Sequence, residues 1–257
     1  MFSFQSLLSK IQVASTVDFG DLFNDSVTLF KKVWVQGLIL QLFSILIMLP
    51  FIIIFYVPYF QLVLENSSNG VMDSAALGQE LIDAYGSSLL WIYLVMLLGS
   101  LVSYVLYLGF YRIVKQIDHG QAFVFSELFH FFKAASIGKS FGLAVTHMFI
   151  SILATLLCFL PIIYAIVPLM FLLPVFAYNS NLSTSEIVKV SFALGNKKWG
   201  IVFLTLILNG ILIYVIAIVT CGLGTLFVSC FLYLPQYIIY KKVIGFDGPK
   251  EVVQSID

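Results

Sequence analysis

His147, Ser151 and Thr155 stand four residues apart, so on a helix they fall into one stripe. A histidine one turn from a hydroxyl is the beginning of proton-transfer chemistry. Catalysis needs more: a nucleophile with an oriented base, paired carboxylates or a metal cluster within mutual reach. The carboxylates of this chain fall in loops or amphipathic segments, and neither an HExxH run nor a phosphate-binding glycine loop occurs. Cys158, Cys221 and Cys230 lack metal-ligand spacing and read as small apolar side chains, a Cys158–Cys221 disulfide being the alternative. No enzymatic activity, metal or cofactor is therefore expected. Gln41, His147, Ser151, Thr155, Asn209 and Gln236 are instead candidate intramembrane polar residues, bonding neighbouring helices or, alternatively, marking a substrate path.

The elements that must hold these residues are set by hydropathy. Four stretches carry no Asp, Glu, Lys or Arg: Val33 to Leu64, Ala84 to Tyr111, Ser140 to Ser185 and Trp199 to Tyr240. A bilayer core about 30 Å thick takes roughly 20 helical residues. The first two stretches hold one crossing each and the last two a pair each. The expected fold is therefore all-α and polytopic, with six transmembrane helices. With 61% apolar and 10% charged residues, the chain departs far from the roughly 45–50% and 25% of soluble domains, and folding in water is excluded.

In this scheme all thirteen Lys and Arg lie on one side of the membrane, whereas Glu65, Asp73, Glu80 and Asp83 share an opposite-side loop without a cation. The positive-inside rule makes the basic side cytoplasmic and places both termini there. No cleavable signal peptide is recognisable, so the first crossing is expected to direct insertion. No basic run is long enough to suggest nucleic acid.

A repeat organises the crossings. Asp21 to Trp34 (DLFNDSVTLFKKVW) and Glu186 to Trp199 (EIVKVSFALGNKKW) align without gaps, sharing Ser26 with Ser191, Leu29 with Leu194, Lys32 with Lys197 and Trp34 with Trp199. In the first, apolar side chains at 100° per residue gather on one face and polar ones on the other, the pattern of an interfacial helix. A weaker third copy runs from Glu127 to Phe141, and a glycine follows each aromatic, at Gly37, Gly142 and Gly200. The chain thus reads as one membrane domain, 1–257, of three units, 21–111, 125–178 and 186–240, each opened by an interfacial amphipathic helix. Lys31, Lys32, Trp34, Arg112, Lys197, Lys198 and Trp199 are candidate membrane-surface residues, at headgroup level.

Smaller features complete the expectation. Asp73 or Ser74 caps a short helix through Tyr85, and Gly99 with Ser103 marks a close helix contact. Pro50, Pro58, Pro161, Pro168, Pro174 and Pro235 mark kinks or helix ends. Three runs then carry a likeness: Gly109-Phe110-Tyr111-Arg112-Ile113, Phe125-Ser126-Glu127-Leu128-Phe129 after Gly120, and Ser183-Thr184-Ser185-Glu186 leading to Gly195-Asn196-Lys197-Lys198-Trp199. From about Asp21 to Tyr240 the chain resembles a group of bacterial integral membrane proteins that includes the membrane domain attached to some glycerophosphoryl diester phosphodiesterases. The resemblance implies a six-helix inner-membrane module without catalytic residues, and the soluble phosphodiesterase domain has no counterpart here. Its expected role is non-enzymatic, engaging membrane lipid or a membrane-protein partner at the cytoplasmic face. The alternative is a permease or export component for an apolar or amphiphilic solute.

Overall fold

The computed structural model describes residues 2–68, 74–86, 89–157 and 160–246. Among them helix takes 86% and strand nothing, so the all-α expectation holds. A short helix α1 (Phe4–Gln12), started by Ser3 accepting from Ser6 N–H, precedes the 50-residue α2 (Phe19–Ser68). Then come α3 (Ser74–Tyr85) and α4 (Leu89–Asp118), a 3₁₀ segment (Phe125–Phe132) and α5 (Ala134–Leu156). The chain continues through α6 (Leu160–Met170), α7 (Leu172–Tyr178), α8 (Thr184–Lys197) and α9 (Trp199–Val219). It closes with α10 (Thr225–Val228), a second 3₁₀ segment (Ser229–Tyr233) and α11 (Leu234–Val243).

Five of these spans are long and apolar enough to cross a membrane: Phe19–Glu65, Leu90–Asp118, Ala134–Leu156, Leu160–Tyr178 and Trp199–Val219. The run expected to form a sixth crossing is divided into α10, the second 3₁₀ segment and α11, none of them long enough to cross alone. Far from the bundle core the helices display large apolar side chains, with Trp91 and Tyr214 each 68% and Phe149 65% exposed. Such a surface is stable against hydrocarbon, not against water.

Two local outcomes differ from expectation. First, α2 runs unbroken through Trp34, Pro50 and Pro58, so the first surface helix and the first crossing are one element. Continuity near its lysines fits the packing: a Cβ on Gly37 would stand 2.2 Å from Cys230 Sγ, so a glycine there lets the second 3₁₀ segment touch the helix backbone. Second, the weak third copy is no surface helix. Its first part is the 3₁₀ segment, which lies so close to α4 that a Cβ on Gly109 would stand 2.1 Å from Leu128 O. As expected of Pro174, the helical run from Leu160 to Tyr178 breaks at Phe171, because Pro174 has no N–H to give Met170 O, the last residue of α6.

Other expectations are met. Helix α3 ends at Tyr85, whose hydroxyl donates to Phe55 O at 2.5 Å and so folds it back onto α2. Asp73 lies outside the described residues. Gly99 faces Phe51 and Met48 across the α2–α4 contact. The core lies toward the basic end of the bundle. There Leu7, Leu22, Val33, Phe110, Phe176 and Tyr237, from five helices, are each at most 1% exposed.

Candidate functional site

The His147 stripe forms on α5, but its hydroxyls turn inward on their own helix. Ser151 Oγ donates to His147 O at 2.9 Å and Thr155 Oγ1 to Ser151 O at 2.8 Å. Bonds to the carbonyl one turn back satisfy a hydroxyl without any partner helix, so the expected glue between helices is not made by these two groups. The half-buried His147 ring lies against Tyr104 of α4, with centroids 5.2 Å apart. Gln41 is half-buried on α2. Asn209 and Gln236 are each 1% exposed, and Gln236 reaches another helix through Nε2, 3.4 Å from Met170 Sδ. The Gln236 carbonyl oxygen and both amide atoms of Asn209 have no hydrogen-bond partner among the described residues.

Gly138-Lys139-Ser140-Phe141-Gly142, which was missed among the sequence motifs, has the GxSxG spacing of a nucleophile elbow, and its structural context decides its meaning. That motif works on a sharp strand-to-helix turn that exposes the serine. Here Ser140 lies within α5, fully buried, and its hydroxyl donates to Ser136 O at 3.0 Å. It is held as a helix residue rather than presented as a nucleophile.

At the basic end, the seven candidate surface residues divide. Lys197 Nζ donates to Gln12 O at 3.2 Å and the buried Lys198 donates to Ser15 O. These acceptors lie at and just beyond the end of α1, where helix carbonyls lack intrahelical donors and a cation is favoured. Burial first, and the neighbouring Lys197 second, hold the Lys198 ammonium below its ordinary pKa. Arg112 is likewise engaged: its Nε donates to Glu127 Oε2 at 2.6 Å, and its guanidinium lies 6.0 Å from the Phe131 ring centre. Beside that pair, burial and then Arg112 lower the His130 pKa, against the opposing pull of Glu127. Trp199 Nε1 donates to Tyr164 O at 3.0 Å, the carbonyl that Pro168 leaves without its helical donor. Each of these four residues thus makes a contact within the protein.

Lys31, Lys32 and Trp34 behave differently. Both lysines are exposed and neither bonds a described residue, while Trp34 is 40% exposed beside Phe227. Lys32 also lines a cavity of about 190 Å³ between α2, the end of α4 and α11. In its wall Asp118 Oδ2 accepts from Tyr237 Oη at 2.7 Å and from Lys241 Nζ at 2.6 Å. Lys242 Nζ stands 2.7 Å from Asp25 Oδ2, and Thr28 completes the polar lining.

Asp25, Thr28, Asp118, Tyr237, Lys241 and Lys242 were not recognisable as a group from sequence, because the fold assembles them from three distant segments. One signal was present: Asp118 is a lone acid at the basic end of an apolar helix. No family model, no curated protein sequence and no solved structure matches this chain.

Proposed function

We propose that the chain is a non-enzymatic membrane module that engages phospholipid at the cytoplasmic face. Its crossings number six, α10 to α11 forming the last, and are arranged as three hairpins with both termini in the cytoplasm of a bacterial inner membrane. The support is the placement of all thirteen cations at one end of the charge-free stretches, together with the acidic loop at the other. Reporter fusions test it: positions 119, 183 and 257 are expected to report cytoplasm and position 73 the opposite side. A single inverted reporter breaks the topology.

The observation that carries the lipid reading is the exposure of Lys31, Lys32 and Trp34 at one level along α2. Other cations of the basic end, Arg112, Lys197 and Lys198, are engaged by protein acceptors, whereas these two lysines stand exposed within one turn of Trp34, itself 40% exposed. Each cation near an anionic headgroup contributes about 1 kcal/mol. Purified in mild detergent, the protein is expected to retain phospholipid through gel filtration, and a Lys31→Glu, Lys32→Glu double variant to lose most of it. Equal phosphorus per chain in the two proteins defeats the reading. The permease alternative needs a polar path through the bundle, and it has less support because the Ser151 and Thr155 hydroxyls are bonded within α5.

A further inference from the structure

We infer that the cavity between α2, α4 and α11 is a binding site for one phosphodiester group of a phospholipid headgroup, an assignment that rests on the lipid reading above. Lys32, Lys241 and Lys242 face Asp25 and Asp118 there, which leaves one net positive charge, the complement of a single phosphodiester. The internal pairs Lys241–Asp118 and Lys242–Asp25 hold four of the five charges, and of the three lining cations Lys32 is the one without an ion pair to a described residue. Thr28 and the Tyr237 hydroxyl supply neutral polar groups, and Leu29 and Ile238 an apolar wall. At about 190 Å³ the space is smaller than the roughly 300–1,000 Å³ of sites that enclose whole small molecules, so it suits a headgroup. Its position on α2 lies within two turns of Trp34, where the charge-free stretch begins.

The bound group would replace none of the internal ion pairs. It would sit against Lys32 and share the outward sides of the Lys241 and Lys242 ammonium groups, each of which has three donors. Lys31 gives an internal control: it is adjacent in sequence and exposed, and it does not line the cavity.

The test uses the full-length protein, delipidated in a non-ionic detergent and titrated while tryptophan fluorescence is followed. The probes are dihexanoyl-phosphatidylglycerol, dihexanoylglycerol, which lacks the phosphate, and inorganic phosphate. The phospholipid is expected to bind saturably and more tightly than either of the others. Lys32→Gln should weaken it about fivefold, the loss of one cation near a headgroup, and Lys31→Gln less than twofold. Lys32 has no ion pair to lose, so its variant is expected to keep the wild-type unfolding midpoint. Equal weakening by the two variants overturns the cavity assignment and leaves the broader lipid reading standing as diffuse surface attraction. Equal binding of dihexanoylglycerol overturns the phosphodiester recognition, and equal binding of inorganic phosphate makes the ligand a free anion. If no probe binds, the cavity assignment and the lipid reading fall together.

Discussion

Leu22, Ser26 and Leu29 of α2 occupy the positions of Ile187, Ser191 and Leu194 of α8, and all six side chains are buried. Four residues upstream of Leu22 and Ile187 the correspondence continues, because Asp18 Oδ1 accepts from Asp21 N–H as Ser183 Oγ accepts from Glu186 N–H. Eleven residues on from Leu22 and Ile187 the two segments part. Val33 is fully buried and α2 carries straight into its crossing, whereas the equivalent Lys198 sits outside regular helix, with φ −117° and ψ 17°, between α8 and α9. A lysine at a buried register position must find an acceptor, and the turn at Lys198 lets the ammonium reach Ser15 O. The Val33–Lys198 difference thus accompanies a continuous helix in one copy and a bend in the other, where the lysine pair is bound to the α1 end.

The most severe way to break this comparison is Val33→Lys, which gives the first copy the residue of the second without the bend. An uncompensated charge in that site is expected to cost about 3–5 kcal/mol and to leave little folded protein in detergent. A Val33→Lys chain with a wild-type unfolding midpoint would show that the bend is not the consequence of the lysine. The reciprocal change, Lys198→Met, removes a charge-assisted hydrogen bond worth about 1.5–3 kcal/mol. Its damage should be local: faster amide exchange over residues 4–12, with exchange in α2 unaltered.

The glycines sharpen the same contrast. A Cβ on Gly37 would stand 2.2 Å from Cys230 Sγ and 2.4 Å from its Cβ, while Gly200 and Gly142 face open space. Gly37→Ala is therefore expected to destabilise by about 1–3 kcal/mol through overpacking. Gly200→Ala should be neutral or stabilising by up to about 1 kcal/mol, since alanine is the better helix former. Thermal unfolding of the two variants side by side checks this, and equal loss in both would mean that the close approach to Cys230 is not what distinguishes the copies.

Much of this architecture was legible in the sequence, because its causes are local. Hydropathy located the long apolar spans, and the shared Ser, Leu, Lys and Trp positions located two segments that bury the same face. The weak third copy failed for a reason that sequence pattern does not carry: Gly109 lets the backbone of residues 125–132 lie directly on α4, and that segment becomes 3₁₀. Lysine roles were hidden for a similar reason. The amphipathic pattern places Lys32 and Lys197 on equivalent polar faces, and only the docking of α1 beside α8 gives one of them a carbonyl acceptor. The cavity was the least legible, since Asp118, Lys241 and Asp25 meet only when α4, α11 and α2 close on one another.

The mildest test concerns how the two copies begin. Ser183 and Glu186 form a reciprocal capping box, with Glu186 Oε2 accepting from Ser183 N–H at 2.8 Å, and that backbone bond first and the Ser183 hydroxyl second lower the Glu186 pKa. A carboxyl with a depressed folded-state pKa contributes stability that is complete above its ordinary value, about 4.3, and is lost as pH falls through the lower folded value. Ser183→Ala should cost about 1 kcal/mol at neutral pH, as a lost helix cap does. Glu186→Gln should leave the hydroxyl cap in place while flattening the acid limb of the stability profile below about pH 4.3. At the first copy, Asp18→Ala removes the cap of a helix fifty residues long, whose packing along the core holds it independently of its end. Its effect should be confined to faster exchange in the first turn of α2. Were Asp18→Ala instead to lower the midpoint as much as Ser183→Ala, the two starts would be energetically alike, and the divergence of the copies would begin only at Val33 and Lys198.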